Sequence, residues 1–123
     1  MKLVRKVDIL GSKYAVYRVG SSENEYMERM HYDGLCCAGD RKIYILDLAT
    51  VEDWKDEREE VRKSSEACTL RHEIIHAFLN ESGLQWNAAA SEQAWAKNEE
   101  MVDWIAIQFP KIFKVYQELG CLE

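Results

Sequence analysis

The sequence predicts an α+β domain in which a small twisted sheet packs on one long helix, with a second helix behind it. Three observations carry this. Short runs rich in β-branched and aromatic residues, punctuated by Gly, Ser and Asp, all fall within residues 2–48. From residue 53 onward the apolar residues recur mostly at helical spacing. The chain of 123 residues, 47% hydrophobic and 31% charged, suits one soluble domain over 1–123, without internal repeats, low-complexity tracts or linkers.

Residues 2–10 read as the first strand, with Leu3, Val7 and Ile9 near period two. Gly11-Ser12 suits a two-residue turn, and residues 14–19 form a second strand that Gly20-Ser21-Ser22 ends. Ser22-x-x-Glu25 resembles a capping box and predicts a short helix over 23–31. Residues 34–38, a Gly39-Asp40 turn and residues 42–48 read as a hairpin. The shorter first run suits a sheet edge.

Thr50 can cap the next helix, with Glu52 and Asp53 favourable in its first turn. That helix is expected over 53–81, with a possible break at Ser64-Ser65 and a stop at Gly83. Its charged start, residues 53–63, reads as a solvated face. Residues 84–97 have weaker periodicity, and Trp86 and Trp95 are expected to pack against the core or to line a cleft. Met101, Val102, Ile105, Ala106 and Phe109 begin a last helix near Glu99, which Pro110 should kink or restart and which continues to Gly120.

The most informative stretch is Arg71-His72-Glu73-Ile74-Ile75-His76-Ala77, which contains HExxH. Residues four apart on a helix lie about 40° apart around the axis and about 6 Å apart along it. His72 and His76 can therefore bring one ring nitrogen each to a single metal ion. Glu73, about 100° round from His72, flanks that ion within reach of an activated water. With only three histidines in the chain, a shuffled sequence would give about 0.006 such matches. Two imidazoles, an open position and a carboxylate base make up a hydrolytic zinc site.

A third ligand must come from elsewhere. Ser82 stands where a metzincin carries its third histidine, and Glu81 lies on the wrong side of the helix. His31, Glu92 and the cysteines are possible donors, but Asn98-Glu99-Glu100-Met101-Val102-Asp103 is the best source. Glu99 and Asp103 share a helix face, so Glu99 can ligate while Asp103 accepts the other N–H of a ligand histidine. Glu100, about 100° away, is the lesser alternative.

Composition narrows the partners. A net charge of −6 argues against nucleic acid or an anionic membrane as the main partner. The charged stretch Met1 to Asp8 lacks the apolar run of a signal peptide, and no segment approaches membrane-spanning length, so a cytoplasmic protein is expected. Cys36, Cys37, Cys68 and Cys121 contain no CxxC and are read as reduced, mostly buried thiols.

His72-Glu73-x-x-His76 followed on a later helix by Asn98-Glu99-x-x-x-Asp103 resembles the gluzincin metallopeptidases, of which thermolysin is a member. The resemblance covers roughly residues 34–110. It implies a zincin-like fold, Zn2+ as cofactor, Glu99 as the third zinc ligand and Asp103 as the group that orients His72. The small size looks like the minigluzincins. The stretches 71–78 and 98–104 are also similar to small phage and prophage-encoded zincins near the ImmA/IrrE-like group.

The expected activity is zinc-dependent hydrolysis of a peptide or protein substrate, with Glu73 as general base. The substrate would lie extended along the exposed edge at residues 34–38. Thermolysin-like enzymes carry oxyanion stabilisers after the glutamate helix, and none is evident here. Tyr116, a phenolic donor on the final helix, is the candidate, with Lys111, His31, Tyr32 and Tyr44 as further options. The rival expectation is a zinc-stabilised module that binds without cleaving, for instance in a prophage switch.

Overall fold

The computed structural model describes residues 1–85, 94–119 and 121–122. It is an α+β domain with a four-stranded mixed sheet and three α-helices among the described residues. In chain order these are β1 (Lys2–Ile9), β2 (Ser12–Val19), α1 (Glu25–Met30), β3 (Gly34–Cys37), β4 (Lys42–Leu46), α2 (Glu59–Glu81) and α3 (Glu99–Leu119). Short 3-10 turns at Leu48–Thr50 and Trp95–Lys97 precede α2 and α3.

The sheet order is β1-β2-β4-β3. The β1–β2 and β3–β4 pairs are antiparallel hairpins, whereas β2 and β4 run parallel. The first hairpin turns at Leu10-Gly11, not Gly11-Ser12. Both residues have positive φ (51° and 90°), the signature of a tight hairpin turn, and the Asp8 carboxylate accepts from the Gly11 N–H. Ser12 is thereby released into β2. The second hairpin turns through residues 38–41, centred on the expected Gly39-Asp40, and β3 is the sheet edge as its sequence suggests.

α1 forms where expected, but its cap is Asn24, whose side chain accepts from the Met27 N–H. Ser22 instead donates to the Glu28 carboxylate. His31 closes the helix in the left-handed region at φ 55°. Met27 anchors the helix in the interior.

α2 starts later than the sequence suggests. The Thr50 hydroxyl is taken by the Ser21 N–H and the Asp47 carbonyl, so it cannot cap a helix. The following turns are held by the Arg62 guanidinium, which donates to the carbonyls of Trp54, Lys55 and Glu57. From Glu59 the helix runs without a break at Ser64-Ser65.

One stripe of α2 faces the sheet and is tied down at both ends. Glu66 accepts from Arg18 at 2.9 Å and from the Leu48 N–H. Glu81 accepts from Ser12 and from Tyr14, at 2.7 and 2.8 Å, and pairs with Arg41. Burial and the Glu81 bond push the Tyr14 phenol pKa up. Between these ties Leu70, Ile74 and Ala77 pack on Ile9, Tyr14, Val16, Ile43 and Ile45.

α3 runs through Pro110 as one helix. Asn98 caps it by accepting from the Met101 N–H, and Val102 and Ala106 bury its inner face. Trp95 does not close the core, being 62% exposed. Trp86 and Glu92 lie outside the described residues. All four cysteines are free, but Cys68 and Cys121 are exposed, contrary to the expectation of mostly buried thiols. No helix among the described residues is long and apolar enough to cross a membrane.

Candidate metal centre

His72 and His76 project from the middle of α2, the stretch between its two ties to the sheet. Their Nε2 atoms approach to 3.0 Å. The other nitrogen of each ring is committed. His72 Nδ1 meets Asp103 Oδ1 at 2.6 Å, and His76 Nδ1 meets the Ala96 carbonyl at 2.5 Å. A carboxylate and a carbonyl only accept, so both rings carry their proton on Nδ1 and turn an Nε2 lone pair inward.

A carboxylate completes the convergence. Glu99 Oε2 lies 3.0 Å from His72 Nε2, and Glu99 Oε1 lies 3.2 Å from His76 Nε2. The sequence register places it there: Asn98 caps α3, so Glu99 enters the first turn facing α2, with Asp103 one turn on. Glu100, one residue on, lies about 100° round the helix from Glu99. Two ring nitrogens and a carboxylate, all able to offer an electron pair, thus meet at one point, a donor set that could hold a metal ion.

Glu73 occupies the floor. His72, Glu73 and His76 each offer a ligand atom within 4.8 Å of one another, so this trio alone could hold a metal ion. Glu73 is only 7% exposed and accepts from the Cys36 backbone N–H. Desolvation raises its pKa, against the pull of the two histidines. Of the two carboxylates, Glu99 bridges both Nε2 atoms directly, whereas Glu73 is held back against β3.

That contact depends on Gly34. A Cβ there would stand 2.5 Å from Thr69 Cγ2 and 2.8 Å from Glu73 Oε1, closer than atoms tolerate. Glycine lets the edge strand press onto α2. Cys36 beside it has its thiol pushed up to about 12, chiefly by burial and then by Glu73, so it stays protonated and is a poor metal donor.

The centre opens into a cleft of about 680 Å³ between β3, α2 and the start of α3. Its far wall holds Tyr26 and Tyr32, packed edge to face with centroids 5.9 Å apart. Their position was hidden in the sequence because α1 reaches the cleft only through the sheet's crossover. Tyr116 is not part of this site. It follows Glu99 by seventeen residues on one unbroken helix, about 26 Å along the axis. Lys111, twelve residues on, lies about 18 Å away by the same measure. Comparison with family models, curated proteins and solved structures finds no match.

Proposed function

We propose that this domain is a zinc-dependent peptidase of the gluzincin type, with His72, His76 and Glu99 holding the metal and Glu73 as its base. One observation carries the reading. Two Nε2 lone pairs and the Glu99 carboxylate converge within 3.2 Å while Asp103 and the Ala96 carbonyl fix both ring tautomers. Zinc bound there would supply Lewis acidity, acidifying water and polarising a carbonyl.

The chain's own groups do the rest. Glu73 accepts the proton of the attacking water and passes it to the leaving amine. Its raised proton affinity suits both halves of that task. Asp103 keeps His72 in the tautomer that points Nε2 inward.

The open edge of β3 suits an extended peptide. Leu46 donates to the Asp33 carbonyl, so the alternation of an antiparallel ladder turns the backbone groups of Gly34 and Cys36 outward; the Cys36 N–H is held by Glu73, so the Gly34 groups and the Cys36 carbonyl are the ones that face a peptide. A peptide pairing there by strand addition would pass directly over Glu73. The resemblance to phage-type zincins and the free cysteines agree with a cytoplasmic setting.

A second reading is a zinc-stabilised module that binds without cleaving. It is favoured by the distance of Tyr116 from the site. Tyr26 and Tyr32 offer phenols inside the cleft, which favours the first reading. Metal analysis of the purified chain, followed by a peptide-library digest beside Glu73→Gln, tests both. About one zinc per chain with Glu73-dependent cleavage supports the peptidase; zinc without cleavage supports the binding module.

A further inference from the structure

α3 carries an apolar seam of which Ile105 and Ile112 are partly buried and the remainder is exposed. Ile105, Phe109, Ile112, Tyr116 and Leu119 follow one another at spacings of four, three, four and three. This is the repeat by which one helix packs along another. Yet Phe109, Tyr116 and Leu119 are 48%, 44% and 73% exposed. Phe113 and Val115, 39% and 49% exposed, flank the seam on its two sides. The contact of α3 with its own domain rests on the buried Val102 and Ala106, in its first half.

At 150–250 Å² for a large side chain, the exposed seam and its flanks present roughly 450 Å². That is about the size of the largest apolar patch on an ordinary monomer, which is often a functional one, and over half of the ~800 Å² each partner contributes to a stable interface.

We propose that this seam is the interface of a homodimer, with α3 of one chain packed along α3 of a second copy. A two-fold axis sets one patch against itself, and a regular seam is complementary to its own copy. The seam and flanks hold no charged residue, while Lys111, Lys114 and Glu118 fall on the opposite face. Two chains of net charge −6 can therefore meet there without opposing like charges. The same net charge disfavours an anionic lipid surface as the occupant. The inference is independent of any metal at the candidate centre.

The test is sedimentation equilibrium of the full chain between roughly 1 and 100 µM. The expected mass is twice the 14.4 kDa of one chain. Tyr116→Glu with Leu119→Glu should raise the dissociation constant at least 100-fold, with an unchanged circular dichroism spectrum, while Lys114→Ala stays dimeric. Should the double variant lose its helical signal, Leu119→Gln alone decides, with an expected weakening of about tenfold. A wild type that is monomeric at the highest concentration, or a dimer that survives the folded variants, overturns the proposal. A monomer that co-sediments with phosphatidylcholine vesicles until the double variant is introduced would assign the seam to lipid instead.

Discussion

Gly34→Ala is the sharpest probe of how the sheet positions the centre. The added methyl would sit 2.5 Å from Thr69 Cγ2, 2.8 Å from Glu73 Oε1 and 2.9 Å from Glu73 Cγ. None of these atoms can yield freely. Thr69 and Glu73 are on the sheet-facing side of a helix tied at Glu66 and Glu81. β3 must therefore lift, at a cost of about 2 kcal/mol, typical of one extra carbon forced into a packed interface. For a chain of this size that lowers the melting temperature by roughly 6–12 °C. Lifting β3 also breaks the Cys36 N–H bond to Glu73, so hydrolysis should fall more than stability suggests. Thr69→Ser removes the nearest atom. Combined with Gly34→Ala it should recover about 1 kcal/mol of stability, a coupling expected only of groups in contact. Melting followed by circular dichroism, with all four chains of the cycle, measures this. A Gly34→Ala chain that melts within about 1 °C of wild type, or a zero coupling term, would refute the close approach of β3 to α2.

Four further outcomes are expected. In chelator competition, Glu99→Ala should lose zinc affinity sharply and Asp103→Asn should lose about 10–100-fold, while Glu100→Ala changes little; the reverse order of the two glutamates would overturn the assignment. Glu73→Gln should keep zinc and fold but lose cleavage, and activity persisting in that variant would remove Glu73 from its role. Tyr32→Phe or Tyr26→Phe should lower kcat with KM little changed if a cleft phenol stabilises the developing oxyanion, by up to about 100-fold; unchanged kinetics in both would exclude these phenols. Glu81 has its carboxyl held below the ordinary 4.5, first by the Ser12 hydroxyl and then by that of Tyr14. A depressed carboxylate stabilises the fold above its unfolded pKa and loses that contribution as pH falls through its folded value. Melting scans of wild type and Glu81→Gln from roughly pH 6 to pH 3 should show the wild type losing more stability, and parallel curves would contradict it.

Local patterns in the sequence anticipated the face relations. The i,i+4 spacing of His72 and His76, and of Glu99 and Asp103, is enough to place each pair on one side of its helix. The structure then brings those sides together. What the sequence could not reveal depends on contacts distant along the chain. The start of α2 is set by Arg62 capturing loop carbonyls, which overrides an ordinary capping pattern at Thr50. The parallel pairing of β2 with β4 is non-local, and it is this crossover that carries α1, with Tyr26 and Tyr32, to the cleft. Gly34 reads as a plain strand start until Glu73 is seen beneath it. Leu10 has no preference for positive φ, so its share of the first turn was equally hidden.

Glu73 is where the demands of fold and chemistry meet. A carboxylate on the sheet-facing side of a helix is costly to bury, and a purely structural site would favour an apolar residue there. Its place on α2 sets it beside both histidines and against the sheet edge at Gly34. The compensation it receives is partial: one backbone N–H from Cys36 and the nearby imidazoles. Desolvation therefore wins and the group binds a proton more readily than a free glutamate. A carboxyl whose pKa lies nearer neutrality both takes and returns a proton more efficiently than one at its solvent value. The burial that weakens the fold at this point is the same burial that would make Glu73 an effective base. The glycine opposite it allows the edge strand, and any peptide paired to that strand, to lie within its reach.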